Sequence, residues 1–156
     1  MAYLAIPLMN SFTESQRFRQ WWLWAIILGV TTLTVLAPAG DFRWLSYLTL
    51  LFIVLLFITW RLDTRYDQAG IHYRVWPFMR WRTIDWADIS MATVTQYGFV
   101  GYGIRWNFGE WVYNVAGNQG LRIRTVTNKR VLLGTQRPDE LRAFLLTLPV
   151  SVLRHQ

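Results

Sequence analysis

Two uncharged apolar runs near the N-terminus constrain the fold of this chain more than any other feature. They extend over residues 21–37 and 44–60, and tryptophans stand at the start of each. A helix that crosses the hydrocarbon core of a bilayer needs about 20 apolar residues, with about 17 as the lower limit. We therefore expect two transmembrane helices. A pair of helices buried in the core of a water-exposed fold is the alternative.

The connection between the two runs predicts a helical hairpin and a membrane topology. Residues 38–43 are few and rich in turn formers, so the helices are expected to be antiparallel neighbours. Arginines concentrate outside the runs, at Arg17, Arg19, Arg61 and Arg65. The positive-inside rule then predicts a two-pass membrane protein with both termini in the cytoplasm. Residues 37–39 have an A-x-A pattern, which leaves a cleavable signal peptide as an alternative.

The first twenty residues are expected to form a cytoplasmic or interfacial segment that precedes the hairpin of residues 21–60. Ser11 or Thr13 fits the N-cap of a helix that continues into the first apolar run, with Glu14 in its first turn. The sequence does not decide what residues 3–9 contact.

Residues 61–156 are expected to form a β-domain, because short runs with a period of two alternate there with turn residues. The runs are residues 62–66, 71–76, 81–86, 91–97, 103–108, 111–115, 121–126 and 131–134. Their regular spacing predicts an antiparallel sandwich or barrel of about seven strands, without a parallel crossover.

A helix is predicted over residues 138–148, after the last strand. Pro138 fits the first helical position, and two acidic residues follow it in the first turn. The apolar side chains then recur at helical spacing, at Leu141, Phe144, Leu145 and Leu148. The helix is expected to cover one face or end of the β-domain.

Four stretches of the chain carry a resemblance to a known family. They are residues 16–22 (QRFRQWW), 83–89 (TIDWADI), 101–105 (GYGIR) and 133–141 (LGTQRPDEL). They look like the corresponding stretches of uncharacterised bacterial membrane proteins that carry a pleckstrin-homology-like (PH-like) domain behind two transmembrane helices. The resemblance implies an α+β membrane protein with an N-terminal transmembrane hairpin, a PH-like antiparallel β-barrel or sandwich and a C-terminal helix. It implies no catalytic residues.

Few residues point to catalysis. The chain has no cysteine, which excludes disulfides, thiolate metal sites and thiol catalysis. His72 lies in a predicted strand, Asp85 and Asp88 flank Trp86, and His155 lies near the C-terminus. None of them belongs to a known catalytic or metal-binding motif. We therefore expect no catalytic site, no cofactor and no metal.

The basic residues predict an anionic partner, because the net charge of the chain is +7. We expect a basic patch that faces anionic lipid or a partner protein. Its candidate residues are Arg122, Arg124, Lys129, Arg130, Arg80 and Arg82. An ordinary solvated strand face is the alternative. Nucleic acid is disfavoured because no long basic stripe is present.

A glycine-rich loop is a second candidate for binding. Its aromatic and apolar side chains stand among glycines, where nothing obliges them to enter a core. The candidate residues are Phe99, Val100, Gly101, Tyr102, Gly103 and Arg105. Closure of one end of the barrel by the same side chains is the alternative.

Together these features predict a membrane-anchored, non-catalytic interaction or scaffold module with a basic face. An accessory subunit of a larger inner-membrane complex is the alternative, and an enzyme with an unrecognised site is a third possibility. The expected partners are the lipid bilayer and a partner protein or a second copy of the chain. No small-molecule substrate is indicated.

Overall fold

Nine β-strands and three α-helices make up the part of the chain that the structure, a computed structural model, describes: residues 11–17, 20–36, 43–98, 103–107 and 109–148. The helices are α1 (Trp21–Leu36), α2 (Arg43–Thr59) and α3 (Pro138–Thr147). The strands are β1 (Phe12–Arg17), β2 (Arg61–Tyr66), β3 (Gly70–Trp76), β4 (Arg82–Asp85), β5 (Ile89–Gln96), β6 (Gly103–Asn107), β7 (Glu110–Asn114), β8 (Gln119–Thr125) and β9 (Arg130–Gly134). A short 3₁₀ helix, Trp86–Asp88, connects β4 to β5.

The first sheet is a four-stranded antiparallel meander in the order β1-β2-β3-β4. Strand β1 pairs with β2 from Phe12 opposite Tyr66 to Arg17 opposite Arg61. The predicted N-terminal helix is therefore wrong. Phe12 and Gln16 are both buried, and a spacing of four places them on the same face of a strand as well as of a helix. Since β1 and β2 are neighbours, α1 and α2 form the connection between two paired strands.

Strand β1 is also fixed to the segment between β9 and α3. Gln16 Nε2 donates a hydrogen bond to the carbonyl oxygen of Gly134 at 2.5 Å. The Glu14 carboxylate accepts one from Thr135 Oγ1 at 2.6 Å and another from the backbone N–H of Gln136 at 2.7 Å. Two of the stretches that carry the family resemblance, residues 16–22 and 133–141, thus contact each other.

The second sheet has five strands in the order β5-β8-β9-β7-β6. Strands β7 and β9 pair in parallel, from Glu110 opposite Arg130 to Tyr113 opposite Leu133. The prediction of a purely antiparallel domain is wrong for this reason. Strand β8 intervenes in sequence and pairs with β9 on its other side, so β7 and β9 become neighbours that run in the same direction.

One hydrophobic core joins the two sheets and α3. The buried side chains of the first sheet alternate along β3, and those of the second sheet alternate along β8, as half-buried strands require. The core residues include Leu62, Tyr66, Ile71 and Val75 of the first sheet, and Leu121, Ile123, Val131 and Leu133 of the second. The arrangement is a two-sheet sandwich.

Helix α3 covers the sandwich near β1. It contains Pro138–Thr147, within one residue of the predicted helix, and buries Leu141 and Phe144. The ring of Phe144 lies 6.5 Å from the ring of Phe12, which in turn lies 5.6 Å from the ring of Tyr66. Strand β1 is therefore held by its pairing with β2 and by its contact with α3.

The predicted transmembrane hairpin is wrong. Helix α1 has 16 residues and α2 has 17, the first of them Arg43. At 1.5 Å per residue they extend about 24 and 26 Å, whereas the hydrocarbon core is about 30 Å thick. Among the residues that the structure describes, no helix combines the length and the apolar character that crossing a bilayer requires. The expectation of a two-pass inner-membrane protein with cytoplasmic termini is thereby overturned.

The predicted fold class is wrong as well. Two sheets of four and five strands, one of them with a parallel pair, do not match a transmembrane hairpin followed by a PH-like domain of about seven antiparallel strands. The sequence pattern located the individual strands after the hairpin. The pattern did not predict how the strands pair, because pairing depends on contacts between distant segments.

Candidate functional site: the hairpin surface and the end cleft

The apolar side chains of α1 and α2 form a large exposed surface, which we call the hairpin surface. Leu36 is 75% exposed and Leu33 is 71% exposed, and none of the described side chains of α1 is buried. The exposed side chains of α2 include those of Trp44, Leu45, Leu51, Phe52 and Ile58. Both helices are apolar around their whole circumference rather than along one stripe.

The polar groups of α1 are satisfied inside the helix. The hydroxyl groups of Thr31, Thr32 and Thr34 donate hydrogen bonds to the carbonyl oxygens four residues earlier, at 2.7, 2.9 and 2.8 Å. Gly29 has open space where a Cβ atom would stand. This part of the hairpin surface can therefore be covered without leaving a hydroxyl group unpaired.

The base of the hairpin is fixed to the sandwich. Gln20 Nε2 donates a hydrogen bond to the carbonyl oxygen of Val115 at 2.9 Å. The ring of Trp60 meets the ring of Phe78 edge to face at 4.8 Å. Gly103 has a φ of +105°, and a Cβ atom there would lie 3.5 Å from the Trp60 ring. These contacts place the exposed helices on a defined support.

A cleft of about 700 Å³ lies where the two sheets separate, and we call it the end cleft. The strand β4, the turn between β6 and β7 and the turn between β8 and β9 contribute its walls. The aromatic residues that line it are Tyr73, Trp106, Trp111 and Tyr113, and the charged ones are Arg82, Asp88, Lys129 and Arg130.

The aromatic side chains of the end cleft form a continuous series from the core to the surface. The rings of Tyr73 and Tyr113 are 5.1 Å apart, and both side chains are buried. Trp111 stacks on Tyr113 at 6.4 Å, and Trp106 meets Trp111 edge to face at 5.3 Å. Because Trp106 is 60% exposed and Trp111 is 44% exposed, the outer end of the series is open to a ligand.

Positive charge dominates the end cleft. Among the described residues, no ion pair involves Lys129 or Arg130. Arg124 stands opposite Arg130 in the β8–β9 register, and like charges in that position repel each other. Deeper in the cleft, burial raises the pKa of the Tyr73 hydroxyl to about 12, with Tyr113 adding to the rise and Arg82 opposing it.

The predicted basic patch is divided by the structure. Arg82, Lys129 and Arg130 line the end cleft, whereas Arg80 is exposed in the turn between β3 and β4. The remaining two residues are exposed on β8, where each has a partner. Arg122 Nε donates to Glu110 Oε1 at 2.9 Å, and Arg124 Nε donates to Asn128 Oδ1 at 2.9 Å.

The predicted interaction loop lies largely outside the described residues, which exclude Phe99, Val100, Gly101 and Tyr102. Gly103 and Arg105 belong to β6, where Arg105 stands opposite Val112. The Nε and one terminal nitrogen of Arg105 are buried and have no hydrogen-bond partner among the described residues.

The described residues that were considered for catalysis have different neighbours. His72 lies 2.8 Å from Thr83 Oγ1 through Nδ1 and 3.3 Å from Asp67 Oδ1 through Nε2. Although burial alone would raise it, the pKa of Asp67 is lowered by hydrogen bonds from the Ala69 and Gly70 N–H groups and from His72. Asp88 lines the end cleft, and Asp85 precedes the 3₁₀ helix without capping it.

No group of three or more histidine, aspartate and glutamate side chains within the described ranges is arranged to hold a metal ion. His155 lies outside those ranges.

Sequence reasoning missed the aromatic series of the end cleft. A signal was present, because Trp111 and Tyr113 alternate along one run and Trp106 stands directly across the β6–β7 turn from Trp111. The position of Tyr73 beside Tyr113 could not be read from spacing, since the two residues are on different sheets.

No protein-family model matches the chain, and no match is found among curated proteins. The predicted membership of a family with two transmembrane helices and a PH-like domain is therefore not supported, and it also conflicts with the helix lengths.

Proposed function

We propose that this chain is a non-catalytic interaction module that joins a larger assembly as an accessory subunit, with the hairpin surface as the part that its partner protein covers. The observation that carries the proposal is the exposure of two predominantly apolar helices beside a sandwich that has its own buried core.

The size of the exposed apolar area supports an interaction. Contiguous apolar patches beyond a few hundred Å² are rare on monomeric proteins and mark interaction sites. Covering one large apolar side chain contributes about 1.5–3 kcal/mol relative to leaving it in water. Residues such as Leu33, Leu36 and Phe52 therefore supply a strong driving force for association.

The distribution of that area supports a partner that surrounds the helices. A helix with a single apolar stripe buries one face, whereas a helix that is apolar all round is buried on every side. A second hairpin packed on one face would leave the opposite face exposed. A partner with several apolar helices, approaching closely at Gly29, would cover both faces.

The fixed base of the hairpin supports a scaffold role. Hydrogen bonding of Gln20 to the residue after β7 and packing of Trp60 near Gly103 of β6 hold the helices against the second sheet. The sandwich therefore gives the bound partner a defined orientation, and little ordering of the hairpin base is needed on association.

Site-specific photocrosslinking in the cells that make the chain tests the proposal. p-Benzoylphenylalanine is placed at Leu33 or Phe52 on the hairpin surface and, as a control, at Met91, which is exposed on β5. We expect one stoichiometric adduct of defined mass with a single other polypeptide from the hairpin positions and none from Met91.

A charged variant gives a second measurement. Leu33→Glu should abolish the adduct formed at Phe52 while the thermal unfolding of the sandwich stays unchanged. Adducts confined to lipid, adducts only with a second copy of the chain, or equal yields from Met91 would contradict the proposal.

A further inference from the structure

We propose that the end cleft binds a small phosphorylated molecule with a flat ring, such as a nucleoside monophosphate. The ring would lie against Trp106 and Trp111, and Arg82 and Lys129 would hold the phosphate. This site uses none of the residues of the hairpin surface, so it stands independently of the accessory-subunit proposal.

The dimensions of the cleft fit such a ligand. Small-molecule sites are clefts of about 300–1,000 Å³ with mostly apolar and aromatic walls and a few placed polar groups. The end cleft, at about 700 Å³, has four aromatic side chains and four charged ones in its lining. It is thus large enough for one ring and one phosphate group.

The charge of the cleft selects an anion. Two basic residues of the lining, Arg82 and Lys129, stand against one acidic residue, Asp88. Arg130 shares the outer face of the second sheet with Arg124. Guanidinium groups bind phosphate oxygens through paired N–H donors, and lysine adds a compact positive charge.

The turn that carries Lys129 is held in place before a ligand arrives. Thr125 Oγ1 accepts a hydrogen bond from the backbone N–H of Lys129 at 3.1 Å, and the N–H of Asn128 bonds to the carbonyl oxygen of Thr125 at 2.9 Å. Asn128 adopts a φ of +62°, which asparagine tolerates better than most residues. Such preorganisation lowers the cost of binding.

The exposed tryptophans are the reason to expect a flat ring in the ligand. Stacking of a flat base on an aromatic side chain stabilises binding whatever the base, because every base has a π-face. Asp88 complements this contact, because its carboxylate repels a phosphate but accepts a hydrogen bond from an amino or hydroxyl group. The arrangement therefore favours a ligand with its charge at one end and a donor-bearing ring or sugar at the other.

Isothermal titration calorimetry of the full chain with three probes tests the proposal. Adenosine monophosphate contains both ligand parts, adenosine contains only the ring and sugar, and inorganic phosphate contains only the anion. We expect saturable 1:1 binding of the monophosphate, at least about tenfold tighter than either fragment, because the two parts are joined.

Single variants separate the two contributions. Lys129→Gln should weaken the monophosphate about tenfold and leave adenosine unchanged. Trp106→Leu should weaken the monophosphate and adenosine alike, by about tenfold. Arg122→Gln is the matched control, because Arg122 is basic and exposed on the same sheet but lies outside the cleft. The thermal unfolding temperature of each variant must match that of the parent chain.

Three results would overturn the proposal. The first is no saturable binding of adenosine monophosphate by the parent chain. The second is an equal loss of affinity in Arg122→Gln and Lys129→Gln, which means a diffuse charge effect. The third is binding of a single-stranded oligonucleotide far tighter than the monophosphate, which means a nucleic-acid surface instead.

Discussion

The hairpin and the sandwich use the same kinds of side chain in opposite ways. In the sandwich, leucine, isoleucine and phenylalanine side chains are fully buried and fix the packing of two sheets and one helix. In the hairpin, the same residue types remain exposed, and only the base, at Leu23, Phe57 and Trp60, packs against the core. Apolar side chains therefore stabilise the fold in the sandwich, whereas in the hairpin they remain exposed and available for association.

The largest expected effect is a loss of stability on truncation of the core. Phe144→Ala should lower the free energy of unfolding by about 3–5 kcal/mol, because Phe144 is only 1% exposed and contacts Phe12. Urea denaturation followed by circular dichroism measures it. Leu146→Ala is the control on the same helix, at 80% exposure, and a comparable loss there would mean that α3 does not pack as described.

The next effect concerns the ion pairs of the first sheet. Asp63 accepts hydrogen bonds from Ser15 Oγ at 2.6 Å and Arg74 Nε at 2.7 Å, and Arg61 lies 3.1 Å away. Hydrogen bonds to charged groups contribute about 1.5–3 kcal/mol each. Asp63→Asn should therefore lower the free energy of unfolding by about 2 kcal/mol at pH 7, measured by urea denaturation.

The same carboxylate predicts a pH dependence. Burial alone would raise the pKa of Asp63, but Ser15, Arg74 and Arg61 lower it below the ordinary value. The stabilisation is then fully present above the unfolded-state pKa of about 3.9 and is lost as the pH falls through the lower folded-state pKa. The acid-induced loss of stability should be smaller in Asp63→Asn. An identical acid transition in the variant would contradict this assignment.

A smaller effect should follow from loosening β1. Gln16→Leu removes the hydrogen bond to the Gly134 carbonyl oxygen and should cost about 1 kcal/mol. Hydrogen exchange should show faster opening of the β1–β2 amides than of the β2–β3 amides. Equal protection in the parent and the variant would show that Gln16 does not fix the strand.

The smallest expected effect on stability is that of a substitution on the hairpin surface. Leu33→Ala on the hairpin surface should change the free energy of unfolding by less than about 0.5 kcal/mol, because Leu33 is already exposed in the folded chain. The measurement is the same urea denaturation as for Phe144→Ala. A loss of several kcal/mol would mean that Leu33 is buried, for example in a stable dimer, and the contrast between the two regions would disappear.

The features that could be predicted from sequence are local ones. Alternation placed the strands after Trp60, and the spacing of Leu141 and Phe144 placed α3. Strand β1 was not recognised because its buried face carries Phe12 and Gln16, and a buried glutamine breaks the apolar pattern. The parallel β7–β9 pair was missed because it depends on the intervening β8.

The candidate sites show the same limit. The hairpin surface was visible as two apolar runs, but run length alone led to a membrane span that the helix lengths contradict. The basic residues of the end cleft were identified, whereas its shape was not. Tyr73, Trp106 and Lys129 come from three distant segments, and only the stacking of the two sheets brings them to one cleft.

The insertion of the hairpin between two paired strands has a mechanical consequence. A load applied to the hairpin along the strand direction pulls β1 and β2 together, so it does not separate them from each other. It acts instead as shear on the β2–β3 ladder, in which Arg61 to Tyr66 pair with Trp76 to Ile71. Hydrogen bonds loaded in shear must break together, whereas bonds loaded at one end break one after another. A partner that pulls on the hairpin would therefore be resisted by all the β2–β3 hydrogen bonds together.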